Sequence, residues 1–260
     1  MLPLPEIQYL AYLHNAEDQL RGEAASLAFF SQGQFTNPMV VRIAAYGYQK
    51  GFGGHFHNDN SVAVLRDIPG LILASPARGD DAVLMWRRCV QLAQEDKRVV
   101  VFLEPIARYH SRDLHADGDG LWADEMPPPE ISTEVGQGRC YHAEATDLTL
   151  LTYANGVYLS LQAAQVLRDV HGIDARVFDL RWLAPMDTAA MAAHVQATGG
   201  RVLVVDEGRK TGGIAESIFT ALVEAGVGSP YMARLCSEDT FIPLGPAAEL
   251  VMPSTETIVA

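Results

Sequence analysis

The chain has 260 residues, of which 48% are hydrophobic, and its formal net charge is −13. A chain of this length can bury a sizeable core in one large or two modest domains. Its acidic charge disfavours nucleic acids and anionic membrane surfaces as partners. No apolar run approaches the roughly 18 residues that a membrane-spanning helix requires.

The cysteines and the N-terminal segment indicate the cellular compartment of the protein. Cys89, Cys140 and Cys236 stand far apart without a CxxC spacing. This distribution argues against a disulfide framework or a zinc ribbon and is typical of a reducing compartment. The opening MLPLPEIQYL has no basic segment, and prolines interrupt its short apolar start, so it does not resemble a signal peptide. We therefore expect a cytoplasmic protein.

In the first half of the chain, short β-branched runs alternate with longer amphipathic segments. Buried strands are predicted at 39–45, 71–75 and 98–103. Between the last two strands, apolar residues recur every three or four positions and predict one helix. Asp80 or Asp81 is expected to cap the start of that helix.

The second half of the chain shows the same alternation of predicted strands and helices. Strands are predicted at 148–154, 175–180, 201–207 and 231–237. The intervening helices are predicted to end at Gly172, to begin after Asp187 and to cover 213–225. Alternation of apolar strands with helices predicts an α/β fold, with two three-layer α/β/α domains built on mainly parallel sheets.

A segment rich in proline, glycine and acidic residues separates the two halves, and it predicts a domain boundary. We expect a first domain over 1–116, a linker over 117–137 and a second domain over 138–260. Within the linker, GDG at 118–120 is similar to the start of metal-binding loop motifs. The other ligand positions of those motifs are not matched, so we interpret these residues as turn formers.

The segment GGHFHNDN at 53–60 places two histidines on a glycine loop before a predicted helix over 61–67. Three interpretations remain open. His55, His57 and Asp59 can bind zinc, because alternate residues of an extended segment point to the same side. The polar residues after His57 can instead cap the helix. An imidazole at a helix start also suits proton transfer or anion orientation.

Five stretches carry a family resemblance along nearly the whole chain. They are PEIQYLAYLHNAEDQL (5–20), GGHFHNDNSVAVLRDIPGL (53–71), VVVFLEP (99–105), FDLRWLAPMD (178–187) and VVDEGRKTGGIAESI (204–218). Their order and spacing resemble the β subunit of the thiamine-diphosphate-dependent first component of 2-oxo acid dehydrogenase complexes, of the branched-chain and pyruvate types.

The resemblance implies a partial transketolase-like pyrimidine-binding domain followed by a transketolase C-terminal domain. It also implies an oxidoreductase component that decarboxylates a 2-oxo acid and passes the acyl group to a lipoyl group. An α-type subunit or a fused N-terminal region would bind the diphosphate and Mg²⁺ of thiamine diphosphate. The other implied partners are a lipoyl-bearing dihydrolipoyl acyltransferase and further copies of this chain.

The resemblance also implies site residues. Counting back from Pro69, the active-site histidine of the family falls on His57 rather than His55. Gln8 and Tyr12 match positions that line the aminopyrimidine of the cofactor. For Tyr12, a core aromatic within a helix is the alternative interpretation.

A potassium site in relatives uses an aspartate and an asparagine of a D-x-N-P turn. This chain retains Asp96 and has Arg98 in the place of the asparagine. Asp96 is therefore a candidate potassium ligand. We hypothesise that Arg98 pairs with Asp96 and takes over the role of the cation. A solvated surface arginine is the alternative.

Two departures from the family pattern affect the predicted function. The H-S-Q-S of the family reads His57-Asn58-Asp59-Asn60, and no residue matches the glutamate that protonates the aminopyrimidine. We expect the chain to be a portion of a longer polypeptide, or to pair with a separate one, and to be inactive alone. The alternatives are a non-catalytic dimerisation or docking module and a thiamine enzyme component for acetoin cleavage or transketolase-like transfer.

Overall fold

The computed structural model describes residues 1–50, 54–228 and 230–260. Its strands are β1 (Glu6–Ile7), β2 (Met39–Ala45), β3 (Ile72–Ala74), β4 (Val99–Pro105), β5 (Arg139–Tyr141), β6 (Leu148–Thr152), β7 (Ala175–Asp179), β8 (Trp182–Ala184), β9 (Val202–Arg209) and β10 (Met232–Ser237). Its α-helices are α1 (Glu17–Gln19), α2 (Leu27–Phe30), α3 (Ala63–Arg66), α4 (Gly79–Gln94), α5 (Asn155–His171), α6 (Thr188–Ala197), α7 (Ile214–Glu224) and α8 (Thr255–Val259).

The strands form two five-stranded sheets, and helices pack against both. The first sheet has the order β1-β2-β4-β3-β8 and the second has the order β10-β9-β6-β7-β5. In each sheet four strands are parallel and one edge strand is antiparallel, β8 in the first and β5 in the second. The α/β fold with mainly parallel sheets is thus confirmed. Within the described residues, no helix is long and apolar enough to cross a bilayer.

Local sequence signals locate several helix ends correctly. Gly172 ends α5 with a φ of +67°, a conformation that glycine adopts without steric cost. The side chain of Asp187 caps α6 by accepting a hydrogen bond from the backbone N–H of Ala190 at 3.1 Å. Both contacts lie within a few residues of chain, so a local pattern is sufficient to predict them.

Two capping predictions are wrong. Helix α4 begins without a side-chain cap, because Asp80 and Asp81 face arginines of the second half of the chain. The helix after the histidines is shorter than predicted, and it too has no side-chain cap. There the Asp59 carboxylate accepts hydrogen bonds from Asn60 N–H and the Ser61 hydroxyl instead.

The second half of the chain contributes a strand to the first sheet. Strand β8 pairs with β3, and Ser75 N–H donates to the Arg181 carbonyl at 2.7 Å. The Trp182 side chain is fully buried against the first sheet, where it packs with Met85 and Phe102. The segment 117–137 contains turns but no strand or helix. Strand β8 therefore connects the two halves within one sheet. The predicted domain limits remain a prediction.

The structure supports the interpretation of residues 118–120 as turn formers. The Asp113 carboxylate accepts hydrogen bonds from the N–H groups of Gly118 and Gly120. The Asp119 carboxylate accepts four more backbone N–H groups, those of Leu114, His115, Ala116 and Leu121. Both carboxylates therefore hold the loop in one conformation.

A buried ionic cluster connects α4 to the second half. Asp81, fully buried, pairs with Arg181 and, at 3.0 Å, with Arg139. Arg139 also contacts Asp80 at 2.7 Å. Asp179 lies nearby with one carboxylate oxygen bonded to Arg181 N–H and the other buried without a hydrogen-bond partner. Burial, with the charge of Asp81, raises the pKa of Asp179 to about 8.

The raised pKa of Asp179 predicts a pH dependence of stability. Between the ordinary value of 3.8 and about 8, the folded chain holds a proton that the unfolded chain releases. The free energy of unfolding should therefore fall as pH rises through this window. The D179N variant should remove up to about 1.4 kcal/mol per pH unit of that slope. Urea unfolding at several pH values measures it, with the exposed D67N as control. Equal slopes in the wild type and D179N would contradict the prediction.

Candidate functional site

The carboxyl-terminal ends of strands from both sheets meet around the histidine loop (residues 54–60). This loop lies between β2 and β3 in the chain, and Tyr46 and Asp59 form a β-bridge at its base. Asn60 donates from its side-chain amide to the carbonyl of Glu207, at the end of β9. The second half of the chain therefore fixes where the loop sits. Gly53, part of the predicted turn, lies outside the described residues, whereas Gly54 has a φ of +49°.

Three aromatic rings form the centre of the candidate site. The His57 ring packs edge-on against Tyr9, with centroids 4.9 Å apart, and against Tyr12, at 6.2 Å. The two tyrosine rings are themselves 5.8 Å apart and nearly perpendicular. His57 and Tyr12 are half-buried, whereas Tyr9 is buried. The contacts hold the imidazole in one orientation while leaving part of it accessible.

A short 3-10 helix, Leu10–Asn15, positions Tyr12. Leu10 and Leu13 point into the core, with 1% and 0% of their surfaces exposed. Tyr12 instead lines an open cleft of about 760 Å³. The alternative interpretation, in which Tyr12 is a core residue of a helix, therefore applies to Leu10 and Leu13 and not to Tyr12.

His55 lines the same cleft but has different surroundings. Its exposed ring stacks on Phe56 at 4.2 Å and on Phe241 at 5.0 Å between centroids. His55 and His57 therefore do not converge on a shared ligand position with a third donor. No group of three histidine, cysteine or carboxylate side chains that could hold a metal occurs within the described residues. The structure gives no support to the zinc interpretation.

Asp59 connects the histidine loop to the second half of the chain. Its carboxylate is buried and accepts from Arg209 Nη2 at 3.2 Å, and it lies 3.5 Å from Nε2 of His14. Arg209, at the end of β9, also donates to the Ser61 hydroxyl at 2.7 Å and to the Thr240 carbonyl at 3.1 Å. Sequence reasoning did not single out Arg209, although it lies inside the quoted stretch 204–218.

Two buried acids support the backbone beneath the loop. The Asp206 carboxylate accepts from Tyr153 Oη at 2.6 Å and from Ala215 N–H, in the first turn of α7, at 2.7 Å. The Glu207 carboxylate accepts both the backbone and side-chain N–H groups of Asn155, at 3.0 and 2.9 Å, at the start of α5. Burial raises the pKa of Glu207 to about 8. These acids organise two helix starts and lie outside the cleft.

The remaining predicted site residues are Gln8, which directly precedes Tyr9 in the chain, and Asp96. Gln8 is exposed immediately after β1 and is not among the residues that line the cleft. Asp96 precedes the amino end of β4, whereas the histidine loop follows the carboxyl end of the parallel strand β2. The seven residues of β4 span roughly 20 Å, at about 3.3 Å per residue. Asp96 and the histidine loop therefore lie near opposite ends of this sheet. The potassium role of Asp96 remains a prediction.

The hypothesis that Arg98 pairs with Asp96 is wrong. Arg98 donates to the carbonyl of Gly70 at 3.2 Å, and it forms no ion pair with Asp96, a residue that the structure also describes. Both side chains are exposed at the end of α4. In water, a weak pairing between them does not outweigh the loss of side-chain freedom, which explains the result.

The connection between Asp59 and Arg209 predicts a measurable coupling energy. The two side chains are 7% and 26% exposed, so their interaction is partly shielded from water. A double-mutant cycle with D59N and R209Q should give a coupling of about 1 kcal/mol or more in urea unfolding. The exposed pair Arg168–Asp169, tested with R168Q and D169N, should give a coupling near zero. A coupling for Asp59–Arg209 as small as that of this control would show that the contact does not hold the loop.

Comparison with known proteins identifies similar chains along nearly the whole sequence. Residues 137–258 match the family of the transketolase C-terminal domain. The chain is 29% identical to the pyruvate dehydrogenase E1 component subunit beta of Bacillus subtilis, across 99% of this chain and 74% of that protein. It is 28% identical to the 3-methyl-2-oxobutanoate dehydrogenase subunit beta of Mycobacterium tuberculosis, across 99% and 69%. It is 32% identical to the 2-oxoisovalerate dehydrogenase subunit beta of Pseudomonas aeruginosa, across 85% and 62%.

Solved structures show the same fold. A split-gene transketolase, described as an inactive beta4 tetramer, superposes with a TM-score of 0.72 at 19% identity, covering 99% of this chain and 73% of that one. The transketolase of Campylobacter jejuni gives a TM-score of 0.66 at 14% identity, covering 100% and 35%. Residues 137–258 thus match the transketolase C-terminal domain, and the chain as a whole is similar to the β subunits of 2-oxo acid dehydrogenase E1 components.

Proposed function

We propose that this chain is the β-type portion of a thiamine-diphosphate-dependent 2-oxo acid dehydrogenase, which decarboxylates its substrate and transfers the acyl group to a lipoyl group. The observation that carries the proposal is the ring cluster of Tyr9, Tyr12 and His57, in which Tyr12 also lines an open cleft. The homologous β subunits support the reaction class.

The residues present fit the aminopyrimidine end of the cofactor. Tyr12 offers an aromatic surface at the cleft, and the exposed carboxamide of Gln8 can both donate and accept hydrogen bonds. A flat heterocycle with donors and acceptors on its edge needs these two kinds of contact. When bound, thiamine diphosphate supplies an electron sink for the electron pair that the departing carbon dioxide leaves behind.

His57 would bind and orient the substrate. Its ring is half-buried and packed edge-on by two tyrosines, so its orientation is set before substrate arrives. An imidazole can donate a hydrogen bond to the carboxylate or the carbonyl oxygen of a 2-oxo acid. The tyrosines also reduce the access of water to the imidazole, which strengthens such a hydrogen bond.

The remainder of the cofactor would need a partner. The similar proteins are each named a subunit beta of their enzyme, which points to a second type of subunit that could hold the diphosphate and Mg²⁺. We therefore place these groups on an α-type subunit or a fused N-terminal region. A lipoyl-bearing dihydrolipoyl acyltransferase would accept the acyl group, and further copies of the chain would complete the oligomer.

An exposed aromatic surface supports association with another subunit. Phe29 and Phe30, in α2, are 78% and 80% exposed, and Phe35 nearby is 63% exposed. The rings of Phe29 and Phe30 contact each other edge-on at 5.2 Å between centroids. Adjacent apolar side chains with this degree of exposure are typical of surfaces that another protein covers.

The first test is activity without and with a partner. The purified chain, supplied with thiamine diphosphate, Mg²⁺ and a 2-oxo acid, should release no detectable carbon dioxide. Addition of an α-type subunit from a related 2-oxo acid dehydrogenase should produce activity. Decarboxylation by the chain alone would overturn the need for a partner, whereas the lack of activity with every α-type subunit tried would favour a non-catalytic docking role.

The second test separates the two histidines in the reconstituted enzyme. The H57A variant should reduce kcat/KM by about 10²-fold or more, because it removes the oriented imidazole. The H55A variant is the matched control, and it should cause a much smaller loss because His55 stacks on exposed phenylalanines. Full activity of H57A, or equal losses for both variants, would remove His57 from the mechanism.

A further inference from the structure

A second cavity of about 500 Å³ lies on a different part of the surface and shares no lining residue with the cleft. It is located where β4 ends and α4 begins, and the segment 108–112 forms one wall. Carboxyl ends of parallel strands are common positions for ligand sites in α/β proteins. The cavity plays no part in the proposed decarboxylation, so its ligand chemistry is independent of that proposal.

The acidic residues of this cavity are already neutralised. The Asp124 carboxylate accepts two hydrogen bonds of 2.7 Å from Arg78. The Glu104 carboxylate accepts from Arg42 at 2.8 and 3.1 Å, and from the Tyr109 hydroxyl at 2.5 Å. Each of these two carboxylates is therefore already paired with an arginine, although Arg42 also pairs with Glu6 at 3.3 Å.

Two arginines of the cavity have no acidic partner. Arg108 lies over the Tyr158 ring, 4.3 Å from its centroid, and its Nε donates to the Asn155 side-chain oxygen at 3.2 Å. Neither Arg108 nor Arg112 forms an ion pair with any carboxylate of the described residues. Burial lowers the pKa of Arg108, and the charge of the Glu207 carboxylate offsets only part of this effect. In a chain with a net charge of −13, such a local excess of positive charge is unusual.

The cavity wall is rigid and partly apolar. The loop that carries Arg112 is fixed by the backbone hydrogen bonds of Asp113 and Asp119. Trp122, 3% exposed, donates its backbone N–H to the Arg112 carbonyl at 2.9 Å. Phe102 also lines the cavity. The cavity lining therefore combines apolar side chains with the two arginines.

We propose that this cavity binds a small organic anion whose phosphate or carboxylate group contacts Arg108 and Arg112 and whose body packs against the apolar residues that line the cavity. A guanidinium group recognises either oxyanion through charge-assisted hydrogen bonds.

The experiment titrates the intact chain at pH 7.5 with inorganic phosphate and, separately, with benzoate. Binding is followed by calorimetry and by tryptophan fluorescence, with the W122F variant to identify the responding residue. Both anions should bind saturably if the oxyanion alone is recognised. Benzoate should bind more tightly than phosphate if the apolar wall contributes. Saturable binding of either anion supports the site, and the comparison identifies the preferred class.

The variants test whether the arginines form the site. R108Q and R112Q should each weaken binding by about tenfold, the loss expected for one charge-assisted hydrogen bond. R21Q is the matched control, since it removes the same charge from an exposed position outside the cavity. R112Q keeps the test valid if R108Q disturbs the contact with Tyr158. No saturable binding in the wild type, unchanged affinity in both variants, or an equal loss in R21Q would overturn the proposal.

Discussion

The geometry of the candidate site depends on the hydrogen bonds that join the histidine loop to β9. The Asp59 carboxylate accepts a hydrogen bond from the Arg209 guanidinium, and the Asn60 side-chain amide donates to the carbonyl of Glu207. Without these contacts the loop would be a glycine-containing surface segment with no fixed position for His57. The second half of the chain therefore determines the position of an imidazole that the first half supplies. This arrangement explains why the two halves must fold together for a site to exist.

Burial of acidic groups is the main electrostatic cost of this arrangement. Asp179 and Glu207 both have their pKa raised to about 8, because they lie away from water where the sheets meet. The structure offsets part of this cost with backbone N–H groups and amides, as Asn155 does for Glu207. The buried Asp81–Arg181 pair adds a specific connection between α4 and the second sheet. The junction is thus held by polar contacts as well as by the apolar core.

The charge distribution separates two surfaces with different chemistry. The cleft that Tyr12 lines combines aromatic rings with the ion pair between Asp59 and Arg209. The second cavity has its acids paired and two arginines left over. An acidic chain repels anions in general, so only a local excess of positive charge can bind one. The two sites therefore fit different ligands without competing for the same residues.

The alternation of strands and helices, the helix ends at Gly172 and Asp187, and the family to which the motifs point were all predictable from the amino-acid sequence. These features depend on contacts within a few residues or on a pattern that the sequence displays directly. The pairing of Asp81 with Arg181, 100 residues away, and of Asp59 with Arg209, 150 residues away, became apparent only in the folded chain. Sequence patterns alone cannot predict such partners. A carboxylate near a helix start can cap that helix or pair with a distant arginine, and only the folded chain shows which group lies within reach.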